Sequence, residues 1–146
     1  MVDKIDSFRG RYWFLSNFYP CVMDFEGITY PSSEHAFQAA KSHDRNFKVS
    51  ISQVKKPGKA KSLGWKVKCR DDWDDVRVDV MRDVLKAKFG KPNMARMLLE
   101  TGDAHLEEGN FHGDVFWGTV RGQGENWLGR LLMEVRDNLK EERDNG

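Results

Sequence analysis

Glu34, Gln38 and Lys41 put a carboxylate, an amide and an amine into one short stretch, Tyr30-Pro31-Ser32-Ser33-Glu34-His35-Ala36-Phe37-Gln38-Ala39-Ala40-Lys41. Their i, i+4, i+7 spacing lines them along one face of a helix. Ser32 is a good N-cap, and Glu34 then falls in the first turn, where the helix dipole favours its ionised form. Ala36, Phe37, Ala39 and Ala40 are left to pack the remaining faces. An acid, an amide and an amine on one rigid face beside apolar packing is an arrangement that catalysis uses. The same spacing is also that of a capping carboxylate followed by ordinary surface polars, and the residue types alone leave both readings open.

The elements that must hold this face can be read along the chain. Val22-Met23-Asp24-Phe25, a Glu26-Gly27 turn and Ile28-Thr29-Tyr30 predict a hairpin. The helix carrying Glu34 is expected to run to about Ser42, with His43-Asp44-Arg45-Asn46 breaking it. Pro57 followed by Gly58-Lys59-Ala60-Lys61-Ser62-Leu63-Gly64 predicts a short helix with Gly64 near its end. From Trp73 to Phe89 the apolar positions 73, 76, 80 and 84 form one stripe and 78, 81, 85 and 89 a second, so a helix buried on a wide face is expected. Gly90 ends it, and Pro92 starts the next, which continues through Met94, Met97 and Leu98. Leu128, Leu131, Leu132, Val135 and Leu139 define a last amphipathic helix that fades into the charged residues 140–146. Short strands are expected at 104–108 and 115–118. Together these predict an α+β fold, a mostly helical single domain over residues 1–146 with a small antiparallel β element.

Composition narrows the class. A chain of 146 residues with 39% hydrophobic and 12% aromatic content, five Trp among them, can bury a real core and is not disordered. The formal charge of +1 says little, but its distribution says more. Seven basic residues and no acid lie between Lys55 and Arg70, and Asp71-Asp72-Trp73-Asp74-Asp75 follows at once. Such a stretch suits contact with phosphate or a nucleic-acid backbone, and it also suits a plain solvated surface. Cys21 and Cys69 are too few for a disulfide scaffold. With no apolar leader in the opening residues and no run that could span a bilayer, a cytoplasmic protein with no membrane partner is expected. His35, His43, His105 and His112 lack HxxxH or HExxH spacing, so no metal site is expected. Gly122, Gly124 and Gly129 have no preceding strand to make a phosphate loop of them.

The Tyr30–Lys41 segment resembles the signature of the NADAR (YbiA-like) family, and further blocks follow in that family's order. Phe8-Arg9-Gly10 and Phe14-Leu15-Ser16-Asn17-Phe18-Tyr19-Pro20 resemble its opening motif. Trp73-Asp74-Asp75-Val76-Arg77-Val78-Asp79-Val80-Met81 resembles its central helix. Leu106 to Asn110 and then Asp114-Val115-Phe116-Trp117-Gly118 resemble its late acidic motif. Gly124-Glu125-Asn126-Trp127-Leu128-Gly129-Arg130-Leu131-Leu132-Met133 resembles its closing helix. The resemblance covers nearly the whole chain.

It implies an N-glycosidase that needs no cofactor. Its substrates would be phosphoribosylated intermediates of early riboflavin synthesis, or ADP-ribose attached to guanine. In both, the bond to cut joins the anomeric carbon of ribose to a nitrogen. Such bonds break through an oxocarbenium-like transition state, which calls for nearby negative charge and a nucleophile. Glu34 matches the motif glutamate and is the first catalytic candidate. Asp114 is the second, although an Asp between Gly113 and Val115 also reads as a turn residue. Lys41 is the third: its amine can form a Schiff base with C1 of a ring-opened sugar if burial frees the lone pair, or it can bind a phosphate. Trp73, set among four Asp, suits a base-stacking platform and also a ring that caps the core. Trp117 would shield the site, Gly118 after it would line the substrate, and Gln38 would share the Glu34 face. Arg9 and Asn17 would bond ribose or phosphate, and Asn126 would serve as N-cap or ligand contact. The expected partner is a nucleotide-type small molecule or ADP-ribosylated nucleic acid, with the basic stretch leaning towards the latter. The competing class is a reader that binds ADP-ribose or a nucleotide without turnover. Two departures stand out: Gly64-Trp65 replaces a common Gly-Arg, leaving Lys66 to make a phosphate contact, and Trp13 replaces a different residue.

Overall fold

The computed structural model describes residues 2–146. In chain order its elements are β1 (Lys4–Ile5), a 3-10 helix (Gly10–Leu15), β2 (Met23–Phe25), β3 (Ile28–Tyr30), α1 (Ser33–Ala39), α2 (Arg45–Gln53), α3 (Pro57–Lys66), α4 (Trp73–Phe89), α5 (Pro92–Leu99), β4 (His105–Leu106) and α6 (Trp127–Asn145). They form two compact units, one of residues 17–88 and one of residues 2–16 with 89–146.

In the first unit the hairpin forms as its alternation predicts, with Met23 opposite Tyr30 and Phe25 opposite Ile28. Glu26 and Gly27 both take positive φ (51° and 85°), the left-handed pair that a two-residue hairpin loop requires. Ser32 Oγ caps α1 by accepting from His35 N at 3.2 Å. All seven residues of α1 are buried, and α2, α3 and β3 surround it. Ala36 and Ala39 allow that approach and join Met23, Tyr30, Ile51, Ala60 and Val84 in one core. The break after α1 is real but brief. Asp44 Oδ1 accepts from Asn46 N at 2.9 Å, so a residue expected to end one helix begins another, α2. α3 passes through Gly64 to Lys66, and α4 spans its predicted range. Near the end of α4, Lys88 is fully buried with its ammonium 5.9 Å from the Tyr19 ring, and burial pushes its pKa down to about 7.

In the second unit β1 and β4 pair in parallel, Ile5 against Leu106, so this part of the β structure is not antiparallel. α6 packs on β4 and α5, burying Leu128, Leu131 and Leu132 with Leu98 and Leu106. Residues 115–118 form no strand; isolated bridges at Gly109–Thr119 and Val120–Gln123 take its place. The charged tail does not fade either. Lys, Glu and Arg are good helix formers, and α6 continues to Asn145. Among the described residues no helix is long and apolar enough to cross a membrane.

Lys88 sets a pH dependence. Its pKa falls from 10.5 to about 7 on folding, so the unfolded chain holds more protons between those values and stability rises with pH across that window. Urea midpoints are expected to climb from roughly pH 7.5 to 9.5, and Lys88→Met is expected to flatten the climb. An undiminished climb in Lys88→Met would assign it to another group.

Candidate active site

α1 brings Glu34 and Gln38 together as their spacing requires. Gln38 Nε2 donates to Glu34 Oε2 at 2.6 Å, and both side chains are buried. Asn17 ties down the start of the helix: its carbonyl accepts from Glu34 N at 3.0 Å and its Oδ1 from Ser33 Oγ at 2.9 Å. Its Nδ2 donates to Met81 Sδ at 3.5 Å. The polar atoms of Asn17 therefore brace α1, where a contact to ribose or phosphate was expected. His35 is braced on both nitrogens. Nε2 donates to the Val54 carbonyl at 2.9 Å, which leaves Nδ1 to accept from Ser32 Oγ at 2.6 Å. Burial lowers its pKa, so the ring is a neutral structural group.

Lys41 follows just beyond α1 and donates from Nζ to the Gly64 carbonyl at 3.4 Å. Burial lowers its pKa; Cys69 and Glu34 oppose that and Lys61 adds to it. Desolvation therefore outweighs the neighbouring carboxylate. Gly64 also makes room for the amide. A Cβ there would overlap Gln38 Oε1 and lie 2.8 Å from Gln38 Cδ. Gln38 Oε1 itself is buried with no hydrogen-bond partner among the described residues, a condition that costs about 1–3 kcal/mol. The amide is thus oriented for Glu34 at the expense of its own carbonyl.

Trp73 does not offer a face to a base. It is 8% exposed, and its ring packs on Phe37 with centroids 5.2 Å apart. The open rings of this unit are Trp65 and Phe18, at 78% and 37% exposure. Sequence reasoning saw Trp65 only as a departure from the family pattern.

The late motif forms a loop in the second unit. Asp114 Oδ1 accepts from Phe116 N at 3.1 Å and Trp117 N at 2.9 Å, the bonds of a turn residue. Asn110 Oδ1 accepts from Asp114 N at 3.0 Å, and Asn110 Nδ2 donates to the Asp114 carbonyl at 2.9 Å. The Trp117 ring meets Phe116 edge-on at 4.8 Å. Gly118 is buried where a Cβ would strike the Glu108 carbonyl. Asn126 precedes α6 in a left-handed conformation with no side-chain cap. Its Oδ1 accepts from Glu108 N at 3.0 Å and its Nδ2 donates to the Leu106 carbonyl at 2.9 Å, so it is a loop brace and neither cap nor open ligand contact. Arg9 is exposed, its guanidinium 6.0 Å from the Phe111 ring centre.

The NADAR domain profile matches residues 7–140, across both units. The chain belongs to the NADAR family. N-glycosidase YbiA of Escherichia coli is 38% identical over 146 residues, covering 95% of this chain and 91% of that protein. A riboflavin biosynthesis protein of Vibrio vulnificus is 42% identical over 135 residues, 88% of this chain but 36% of that protein. The chloroplastic riboflavin biosynthesis protein PYRR of Zea mays is 36% identical over 126 residues, 77% of this chain and 20% of that protein. This NADAR chain thus spans about a third or less of the length of those two riboflavin proteins. The NMR structure of E. coli YbiA matches it with a TM-score of 0.87 at 36% identity, over 100% of this chain and 90% of that one.

Within this NADAR chain the contact between Gly64 and Gln38 makes a packing prediction. Gly64→Ala is expected to lower stability by about 1–3 kcal/mol through overpacking. In a Gln38→Ala background the same change should cost much less, because the amide the methyl meets is gone. Thermal denaturation of the two single variants and the double variant measures the coupling; a neutral Gly64→Ala would refute the contact.

Proposed function

We propose that this protein is an N-glycosidase that cleaves a ribose–nitrogen bond with Glu34 and Lys41. The observation that carries the reading is the buried Glu34–Gln38 pair beside an amine whose pKa burial lowers. The name of E. coli YbiA, most of whose length the chain covers, supports the same reaction class. As the base leaves, positive charge develops on the anomeric carbon and ring oxygen, and the Glu34 carboxylate stabilises it. The neutral Lys41 amine forms a bond to C1 as the C1–nitrogen bond to the base breaks, and the base takes up a proton. Loss of a proton from the new C1–nitrogen bond with opening of the sugar ring gives an imine. Water then adds to that imine, releasing the sugar and restoring the amine. Asp114 acts through the fold, shaping the Phe116–Trp117 turn with Oδ1.

For substrate we favour ADP-ribose on guanine, supported by the acid-free basic stretch from Lys55 to Arg70. The second reading, a phosphoribosylated riboflavin intermediate, is favoured by the names of the Vibrio and maize relatives.

Incubation with a guanine-ADP-ribosylated oligonucleotide should release ADP-ribose. Glu34→Gln should slow release by roughly 10²–10³-fold, and Lys41→Ala should abolish a borohydride-trapped adduct. Full activity in Lys41→Ala would replace amine attack by water attack. Intact ligand retained by wild type would make the protein a reader, and neither release nor binding would move the assay to riboflavin intermediates. Because Lys41 must be neutral, the rate should rise with pH. Lys61 lowers the Lys41 pKa, so Lys61→Gln should move that limb to higher pH.

Asp114→Asn keeps an acceptor at Oδ1, while Asp114→Ala removes it. If Asp114 acts only through the turn, Asn should retain activity within about 3-fold and Ala should lose more than about 10-fold. Equal losses in both would assign the charge itself a role.

A further inference from the structure

We infer that α3 and the segment after it form a docking surface for single-stranded nucleic acid, with Trp65 stacking on a base and the surrounding lysines holding phosphates. Lys55, Lys56, Lys59, Lys66 and Lys68 are all exposed, and among the described residues none of their ammonium groups is in a hydrogen bond or ion pair. Arg70 does not belong with them. Two bonds to Asp72, at 2.6 and 3.0 Å, already hold its guanidinium. The exposed Asp71, Asp74 and Asp75 that follow would repel phosphate and so mark one end of the surface.

Trp65 decides the kind of partner. Its ring is 78% exposed on α3, so both of its faces are open to a flat partner. Lys61 lies one turn before it on α3, with its ammonium 6.0 Å from the exposed Phe18 ring. Two open rings with cations between and around them match the alternation of flat bases and phosphates along a single strand. A duplex hides its base faces and would leave Trp65 idle. An acidic peptide would engage the lysines but offers no series of flat groups.

The surface shares α3 with the candidate site. Gly64, next to Trp65, carries the carbonyl that accepts from Lys41 and the Cα that faces the Gln38 amide. The inference rests on the glycosidase reading for its purpose but is tested without it.

The test uses the whole chain and an unmodified, fluorescein-labelled oligothymidylate of about 12 nucleotides, followed by anisotropy. Phosphate contacts from these five lysines predict a log Kd that rises with log salt with a slope of about 3.5. Trp65→Ala should weaken binding roughly 5- to 100-fold, the effect of losing one stacked base. The double change Lys66→Gln with Lys68→Gln should reduce the salt slope by about 1.4. Release of ADP-ribose from free ADP-ribosylguanosine should be the same in Trp65→Ala as in wild type. Unchanged strand binding in Trp65→Ala, or competition by a duplex or by polyglutamate as effective as by the strand, would overturn the inference. Strand binding without any release of ADP-ribose would keep the surface and remove the glycosidase. Release from the free nucleoside without strand binding would do the reverse.

Discussion

The first unit depends on the complete burial of a helix that carries charge. α1 buries all seven of its residues, yet Glu34, His35 and Gln38 are three of them. Polar groups in a low-dielectric interior are stable only with partners, so this helix dictates what surrounds it. Ser32 and the Val54 carbonyl are there for His35, Asn17 for the helix start, and Gln38 for Glu34. The alanines follow from the same demand, because α2, α3 and β3 must come close enough to exclude water.

The burial that makes those demands also shifts the neighbouring amine. A lysine on an exposed helix would stay charged and harmless. Lys41 sits where loss of water outweighs the attraction of Glu34, so its amine is displaced towards the neutral form that can attack carbon. The carboxylate and the amine are kept apart in role by what they touch: an amide for Glu34 and a backbone carbonyl for Lys41.

What could be read from sequence was what local chemistry decides. The hairpin, the Ser32 cap, the Glu34–Gln38 pairing and the span of α4 all follow from spacing and turn residues. α2 was missed because Asp serves equally as a helix breaker and as a cap, and only the residues after it settle which. β1 and β4 are two residues each and pair in parallel across the chain, too little and too distant for periodicity to register. Several candidate site residues have structural partners that sequence does not show. Asn17, Asn126 and Asp114 look like ligand contacts by type, but the Ser33 hydroxyl and Met81 sulfur engage the side chain of Asn17, and loop backbone groups engage those of Asn126 and Asp114. Trp73 takes the core-capping place of its two readings, and Trp65 is the open ring, because sequence does not say which ring lies under α1 and which lies on the outside of α3.

The contact between Gly64 and Gln38 has an evolutionary consequence. Position 64 offers Lys41 a carbonyl, which every amino acid possesses, and offers Gln38 the absence of a side chain, which only glycine provides. Drift at 64 therefore cannot remove the lysine's acceptor, but it strikes the amide at once. The two positions form a single heritable unit, in which a side chain at 64 becomes tolerable only in lineages that have first shortened the residue at 38.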